Sequence, residues 1–160
     1  MVSAESTWLF LFMETIIREA QESDVPVIIS LLKDFAAFEN LSELLTISED
    51  DLHNAMFGEG SFVEGLVCEI DGETGGFAIF YPRFSSFRGQ CGYYLEDIYI
   101  GDEFRGRGLG EKLLKEIARK VGDLIHLQRA PAHFSGKIRI LRKTAVFFLF
   151  DYLNGDTRRF

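Results

Sequence analysis

The sequence predicts one α/β domain built on a mixed, mostly antiparallel sheet flanked by helices. Two apolar runs, residues 62–70 and 76–84, are separated only by Asp71-Gly72-Glu73-Thr74-Gly75, the pattern of a hairpin with a five-residue connection. A third apolar run, residues 93–100, leads into a glycine-rich loop and then a helical pattern, as a strand does when it leaves the sheet through a crossover helix. With 160 residues, 47% of them hydrophobic and 16 of them Phe, the chain is long enough for one domain with a real core and too short for two ordinary ones. No internal repeat is evident.

The elements follow in order. Residues 15–19 read as a strand. Ser23 or Asp24 can cap a helix that tolerates Pro26 in its first turn, and Ile28, Leu31, Leu32, Phe35 and Phe38 recur at three- and four-residue intervals to give it one apolar face. Ser48-Glu49-Asp50-Asp51 resembles a capping box and starts a second helix through Leu52, Ala55 and Met56, which Gly58 and Gly60 stop. After the hairpin, residues 85–92 are turn-rich and residues 93–100 form the central strand. A third helix then buries Leu109, Leu113, Leu114, Ile117 and Val121.

The segment richest in chemistry is Arg105-Gly106-Arg107-Gly108-Leu109-Gly110. Strand, glycine loop and helix in that order make a phosphate cradle, because the free N–H groups of a helix start carry partial positive charge and glycines let an anion approach the backbone. Three kinds of phosphate loop compete for it. A triphosphate loop ends in Gly-Lys-Ser/Thr, whereas Gly110 is followed by Glu111 and Lys112. A dinucleotide fingerprint needs G-x-G-x-x-G and an acidic residue about 20 positions on; this loop reads G-x-G-x-G, and the matching region holds Arg129 and Ala130. What remains is R-x-x-G-x-G after the strand Leu95-Glu96-Asp97-Ile98-Tyr99-Ile100, which resembles the acetyl-coenzyme A (acetyl-CoA) pyrophosphate loop of the GNAT superfamily of N-acetyltransferases.

The resemblance continues upstream in residues 16–20 with Ser23-Asp24, and more narrowly in Ala37-Phe38-Glu39, Phe57-Gly58-Glu59, Gly76-Phe77-Ala78 and Tyr94-Leu95-Glu96-Asp97. These are similar to the diamine acetyltransferases, the spermidine/spermine and thialysine group. It covers about residues 14–121. It implies transfer of an acetyl group from acetyl-CoA to a primary amine of a small polyamine-like or lysine-like substrate, without a metal, in a homodimer. Glu96 would be the base, acting through an ordered water and attracting the cationic substrate. Strand alternation keeps Glu96 and Asp97 on opposite faces unless a bulge intervenes, so only one of them can serve; the competing reading is a pair of carboxylates on a solvated edge. The Ile98 N–H would meet developing negative charge on the acetyl oxygen. The backbone of Ile98, Tyr99 and Ile100 would pair with the pantetheine arm, and Arg105 with the Gly106, Arg107, Gly108, Leu109, Gly110 and Glu111 amides would hold the pyrophosphate. Glu39 matches a carboxylate that holds the distal amine, with Phe38 as an apolar wall; the plainer reading of Glu39 is a solvated charge at a helix end.

The net charge of −8 argues against nucleic-acid partners and favours cationic ones. Cys68 and Cys91 lack metal-ligand spacing and read as core thiols in a reducing cytosol, which sets the expected location as cytoplasmic. His53, His126 and His133 read as structural or surface residues. The run Trp8 to Phe12 has neither the charge nor the length of a signal sequence or membrane span, so residues 1–12 read as an N-terminal extension ahead of an acetyltransferase-like domain at 13–122. Residues 123–160 are a divergent basic tail: they hold seven Lys and Arg against three Asp and Glu, net +4, whereas residues 1–122 hold ten against twenty-two, net −12. The family's C-terminal motifs, including the tyrosine that protonates the leaving thiolate, are not matched there, and Tyr152 sits in unlike surroundings. The C-terminal part is therefore read as atypical or incomplete. Two alternatives follow: a catalytically impaired binding or dimerising variant with a replaced C-terminus, or an authentic tail in which residues 145–150 form an edge strand.

Overall fold

A computed structural model describes residues 14–86, 89–126 and 147–148. Five strands pair in chain order, β1 (Thr15–Glu19), β2 (Glu64–Ile70), β3 (Glu73–Ser85), β4 (Gln90–Ile100) and β5 (Phe147–Phe148). Every described pairing is antiparallel, including that of β4 with β5, on either side of helix α3 (Leu109–His126). Helices α1 (Val25–Phe38) and α2 (Glu49–Phe57) cover the other face.

Alternation along the strands divides the core in two. Leu66, Cys68, Ile70, Ala78, Phe80 and Leu95 pack against Leu113, Leu114, Ile117 and Val121 of α3. Val67, Phe77, Ile79 and Tyr99 face Ile28, Ile29 and Leu32 of α1 and Leu52 and Met56 of α2. The predicted inward residues of α3 are all buried. On α1 the predicted apolar face holds at Ile28, Leu31 and Leu32, but Phe38, the last helical residue, is 58% exposed. Beyond the helix end Asn40 takes a positive φ of 59°.

The hairpin connection is shorter than the sequence predicts. Asp71 and Gly72, with φ of 51° and 84°, form a two-residue turn of the mirror-image kind whose twist suits paired strands. Residues 73–75 join β3, and Gly75 is the unpaired extra residue where the register slips between Cys68 and Glu69. Ser48 and Asp51 form the predicted capping box, Asp51 N–H donating to Ser48 Oγ at 3.1 Å and Ser48 N–H to Asp51 Oδ2 at 3.0 Å. Cys68 is buried, and its burial pushes the thiol above its ordinary value. Cys91 is exposed, which corrects its reading as a core thiol: it lies near the β3–β4 tip, where neither helix layer reaches.

Asp24 occupies the N-cap position of α1, but its carboxylate makes no cap bond to the helix. It accepts two hydrogen bonds from Arg18 of β1, at 2.6 and 2.9 Å, and one from Gln21 N–H at 2.7 Å. Arg18 also pairs with Glu69 of β2, so one guanidinium fastens β1, β2 and the start of α1. On the opposite face Lys120 of α3 pairs with Glu19 and, at 3.0 Å, with Glu64.

The Arg18 hydrogen bonds hold Asp24 below the usual carboxylate range. A lowered folded pKa gives stability that is present above the unfolded value near 3.9 and lost as pH falls through the folded one. Arg18→Met strands the buried Asp24 charge and is expected to cost about 3 kcal/mol, the low end for breaking a buried pair, because the Arg18 side chain keeps 27% of its surface in water. Urea unfolding at pH 7 checks this, and a loss below about 1 kcal/mol contradicts it.

Candidate active site

The decisive local feature lies in β4. Ile79 of β3 faces Asp97 and Phe80 faces Leu95, so Glu96 has no cross-strand partner and forms a β-bulge. The bulge reverses the parity of the strand. Tyr93 and Leu95 before it, and Ile98 and Ile100 after it, all turn to the α3 face. Glu96 is exposed, and Tyr81 of β3 donates its phenol O–H to Glu96 Oε2 at 3.0 Å. Tyr81 pairs with Tyr94, two register steps from Ile79, which faces α1 and α2 opposite Asp97. Glu96 and Asp97 therefore both address the α1 side of the sheet, the condition under which both carboxylates can see one site.

Asp97 opens into a cavity of about 190 Å³ between β4 and the end of α1. Leu32, Phe35, Ala36, Leu41, Leu44 and Leu45 form its apolar walls, and Glu39 and Asp97 are its charged lining residues. Burial first, then the nearby Glu96 carboxylate, push Asp97 up to about 6. Phe38 is not in the lining. It stands outside, with the Arg105 guanidinium 4.6 Å above its ring, and Phe35 supplies the aromatic wall instead. Helical spacing could have shown this, since Phe35 and Glu39 lie four residues apart on one face and Phe38 is turned about 100° from Glu39.

The far edge of β4 is read from its hydrogen bonds. Gly101 N–H donates to Gly75 O at 2.9 Å, directing residues 97, 99 and 101 into the β3 ladder. The backbone groups of Ile98 and Ile100 then point to the opposite edge, where Arg105 Nε donates to Ile100 O at 2.9 Å. Among the described residues β5 accompanies that edge only at Tyr94 and Leu95. The Ile98 and Ile100 amides are thus the ones presented, while those of Tyr99 are committed to β3 and its ring is buried against Phe35 and Phe77.

The glycine loop rises from this edge. Gly106 and Gly108 adopt φ of 77° and 71°, a region costly for residues with a Cβ, and a Cβ on Gly106, Gly108 or Gly110 would meet nothing within 4 Å. Helix α3 starts at Leu109, and Lys112 N–H donates to Gly108 O at 3.1 Å. The N–H groups of Leu109, Gly110 and Glu111 have no intrahelical acceptor, so they are the free donors at this helix start. Arg107 donates to Glu103 O at 3.2 Å. Arg105, besides Ile100 O, pairs with Asp102 at 2.7 Å and lies over the rings of Phe38 and Tyr99, so it fastens the loop to β4 and α1. Among the described residues no group of three or more His, Cys, Asp or Glu is placed to hold a metal ion, and no helix is long and apolar enough to cross a membrane. Met1–Phe12, His133 and Tyr152 lie outside the described residues, as does the tail apart from Phe147–Phe148 and the end of α3.

The acetyltransferase (GNAT) family profile aligns with residues 25–133. The chain belongs to that family. It is similar to a thialysine N-epsilon-acetyltransferase of Bos taurus, 39% identical over 110 residues that make up 64% of each chain. A spermidine/spermine N(1)-acetyltransferase-like protein 1 of Homo sapiens is 32% identical over 110 residues, 64% of this chain and 16% of that one. The GNAT chain thus spans less than two thirds of the first of these relatives. An integron cassette protein from the mobile metagenome of Cole Harbour Salt Marsh shares the fold at a TM-score of 0.58 and 18% identity, over 81% of this chain and 92% of that one.

Because the folded Asp97 value is raised above the unfolded one, its contribution to stability is present below pH 4 and is lost as pH rises through 6. Asp97→Asn is expected to remove that pH dependence and to stabilise the fold at pH 7.5 by about 1–3 kcal/mol. Urea midpoints at pH 4.5 and 7.5 test this; equal pH slopes for both chains refute it.

Proposed function

We propose that the chain transfers the acetyl group of acetyl-CoA to the primary amine of a small polyamine-like or lysine-like molecule, using residues 13–122 as the working domain. The single observation that carries this reading is the Glu96 bulge, which turns Glu96 and Asp97 to the α1 side of the sheet, where Asp97 and Glu39 line an apolar cavity. An apolar slot lined by Glu39 from α1 and Asp97 from β4 suits a methylene chain bearing two cationic ends, with Glu39 available to the distal ammonium and Glu96, beside Asp97, to the amine that reacts. The printed names of the relatives, on thialysine and on spermidine and spermine, support the same substrate class.

When bound, acetyl-CoA supplies an acetyl group activated as a thioester. The residues fit such a ligand: the first-turn amides of α3 and the Gly106 and Gly108 backbone would hold the pyrophosphate, with Arg107 beside them. The Ile98 and Ile100 amides would take the pantetheine arm. Glu96, exposed and aimed from the bulge, removes a proton from the incoming ammonium through water, since only the neutral amine has a free lone pair. The Ile98 N–H is the backbone donor available to the acetyl oxygen, and such a donor contributes about 10²–10³ in rate. Arg105 acts from behind, keeping the loop on β4 and α1.

Isothermal titration with acetyl-CoA should show binding that Gly108→Asp abolishes, since a carboxylate at the cradle repels the pyrophosphate and the residue must also adopt a positive φ. A radiometric assay on thialysine, spermidine and lysine peptides should show turnover that Glu96→Gln slows about 10²–10⁴-fold without weakening acetyl-CoA binding. Binding without turnover on any amine points to the impaired, binding-only variant. Lack of acetyl-CoA binding by a folded sample ends the acetyltransferase reading for this chain.

A further inference from the structure

The bulge that aims Glu96 also deprives it of the ladder that fixes the direction of an ordinary strand side chain. Facing no residue on β3, the exposed carboxylate would sample several rotamers on its own. One described contact restrains it, the hydrogen bond from Tyr81 Oη to Glu96 Oε2 at 3.0 Å. The donor is itself held: the Phe62 ring meets Tyr81 edge-on at 6.0 Å and 87°, and the Tyr94 ring lies 5.3 Å away at 34°. Arg83 lies over the Tyr94 ring at 5.7 Å, steadying the second of those neighbours.

We propose that Tyr81 is a positioning residue, whose phenol holds one oxygen of Glu96 so that the other is presented to the reacting amine through its water. This rests on the reading of Glu96 as the base. Among the described residues, the charged and titratable groups acting on the Tyr81 phenol are Glu96, Tyr94 and Arg83, and Glu96 acts in turn on Asp97. Burial, and then the Glu96 carboxylate, push the Tyr81 phenol above its ordinary value, so it remains a donor throughout the neutral range. A tyrosine serving only to fill space would need its ring and not its hydroxyl, and that difference can be measured.

Tyr81→Phe keeps the ring between Phe62 and Tyr94 and removes the donor. Steady-state kinetics with acetyl-CoA and thialysine or spermidine should show kcat lowered about 10–10²-fold, the scale of a misplaced reacting group, with KM for acetyl-CoA and the thermal midpoint unchanged. In the Glu96→Gln background the same substitution should add nothing, because the two residues act as one unit. A Tyr81→Phe chain with wild-type kcat, beside a slow Glu96→Gln chain, overturns the inference and leaves the reading of Glu96 intact. Fully additive losses in the double variant also overturn it, since Tyr81 would then act independently of Glu96. Wild-type kcat in Glu96→Gln, or no turnover by the wild-type chain, sinks the reading of Glu96 and the inference with it.

Discussion

A single residue inserted in β4 organises the rest of the molecule. Before Glu96 the strand is bound on both sides, to β3 and, at Tyr94 and Leu95, to β5. After it the strand still follows β3, but its other edge presents Ile98 and Ile100, whose carbonyl takes a side-chain donor from Arg105. A buried backbone group must find a partner or lie where a ligand can supply one, and a bulge is an economical way to redirect a strand while keeping the ladder continuous. The same insertion turns Glu96 and Asp97 toward one face and so makes the acid pair.

The two cores hold this arrangement in place. The α3 side packs Leu95 and, across the bulge, Ile98 and Ile100 against one helix, which fixes the glycine loop at the end of β4 because Leu109 and Leu113 are buried in the same cluster. The α1 side buries Tyr99, whose ring meets Phe35 at 5.5 Å, and Phe35 in turn lines the cavity. Arg105 joins the halves, touching Ile100, Asp102, Tyr99 and Phe38. A cation on the glycine loop therefore has a structural duty, tying the loop to β4 and to the end of α1.

Much of this was legible in the sequence because periodicity encodes burial. The α3 stripe, the α2 capping box and the glycine loop were read at the right places, since each depends on neighbours within a few positions. The bulge has a signature in the sequence: Tyr93 and Leu95 keep one parity and Ile98 and Ile100 the other, so the apolar period of two breaks at Glu96-Asp97. The two-residue turn is a local signal, since Asp71-Gly72 between two apolar runs marks a mirror-image hairpin turn, whereas the exposed Cys91 and the contact of Tyr81 with Glu96 were not legible. Both are set by strand register, which joins residues that local pattern does not connect. Asp24 has a different cause, for a residue that reads as a helix cap is taken by Arg18, six positions upstream near the end of β1.

The most direct test of the divided strand is amide hydrogen exchange resolved by residue. In the free protein the Ile98 and Ile100 amides should exchange far faster than those of Tyr99 and Gly101, which donate within the sheet, and acetyl-CoA should slow the first pair and leave the second unchanged. If Ile98 and Ile100 are as protected as Tyr99 without acetyl-CoA, or if acetyl-CoA leaves them unchanged, then β4 does not present its edge to the ligand and the account fails.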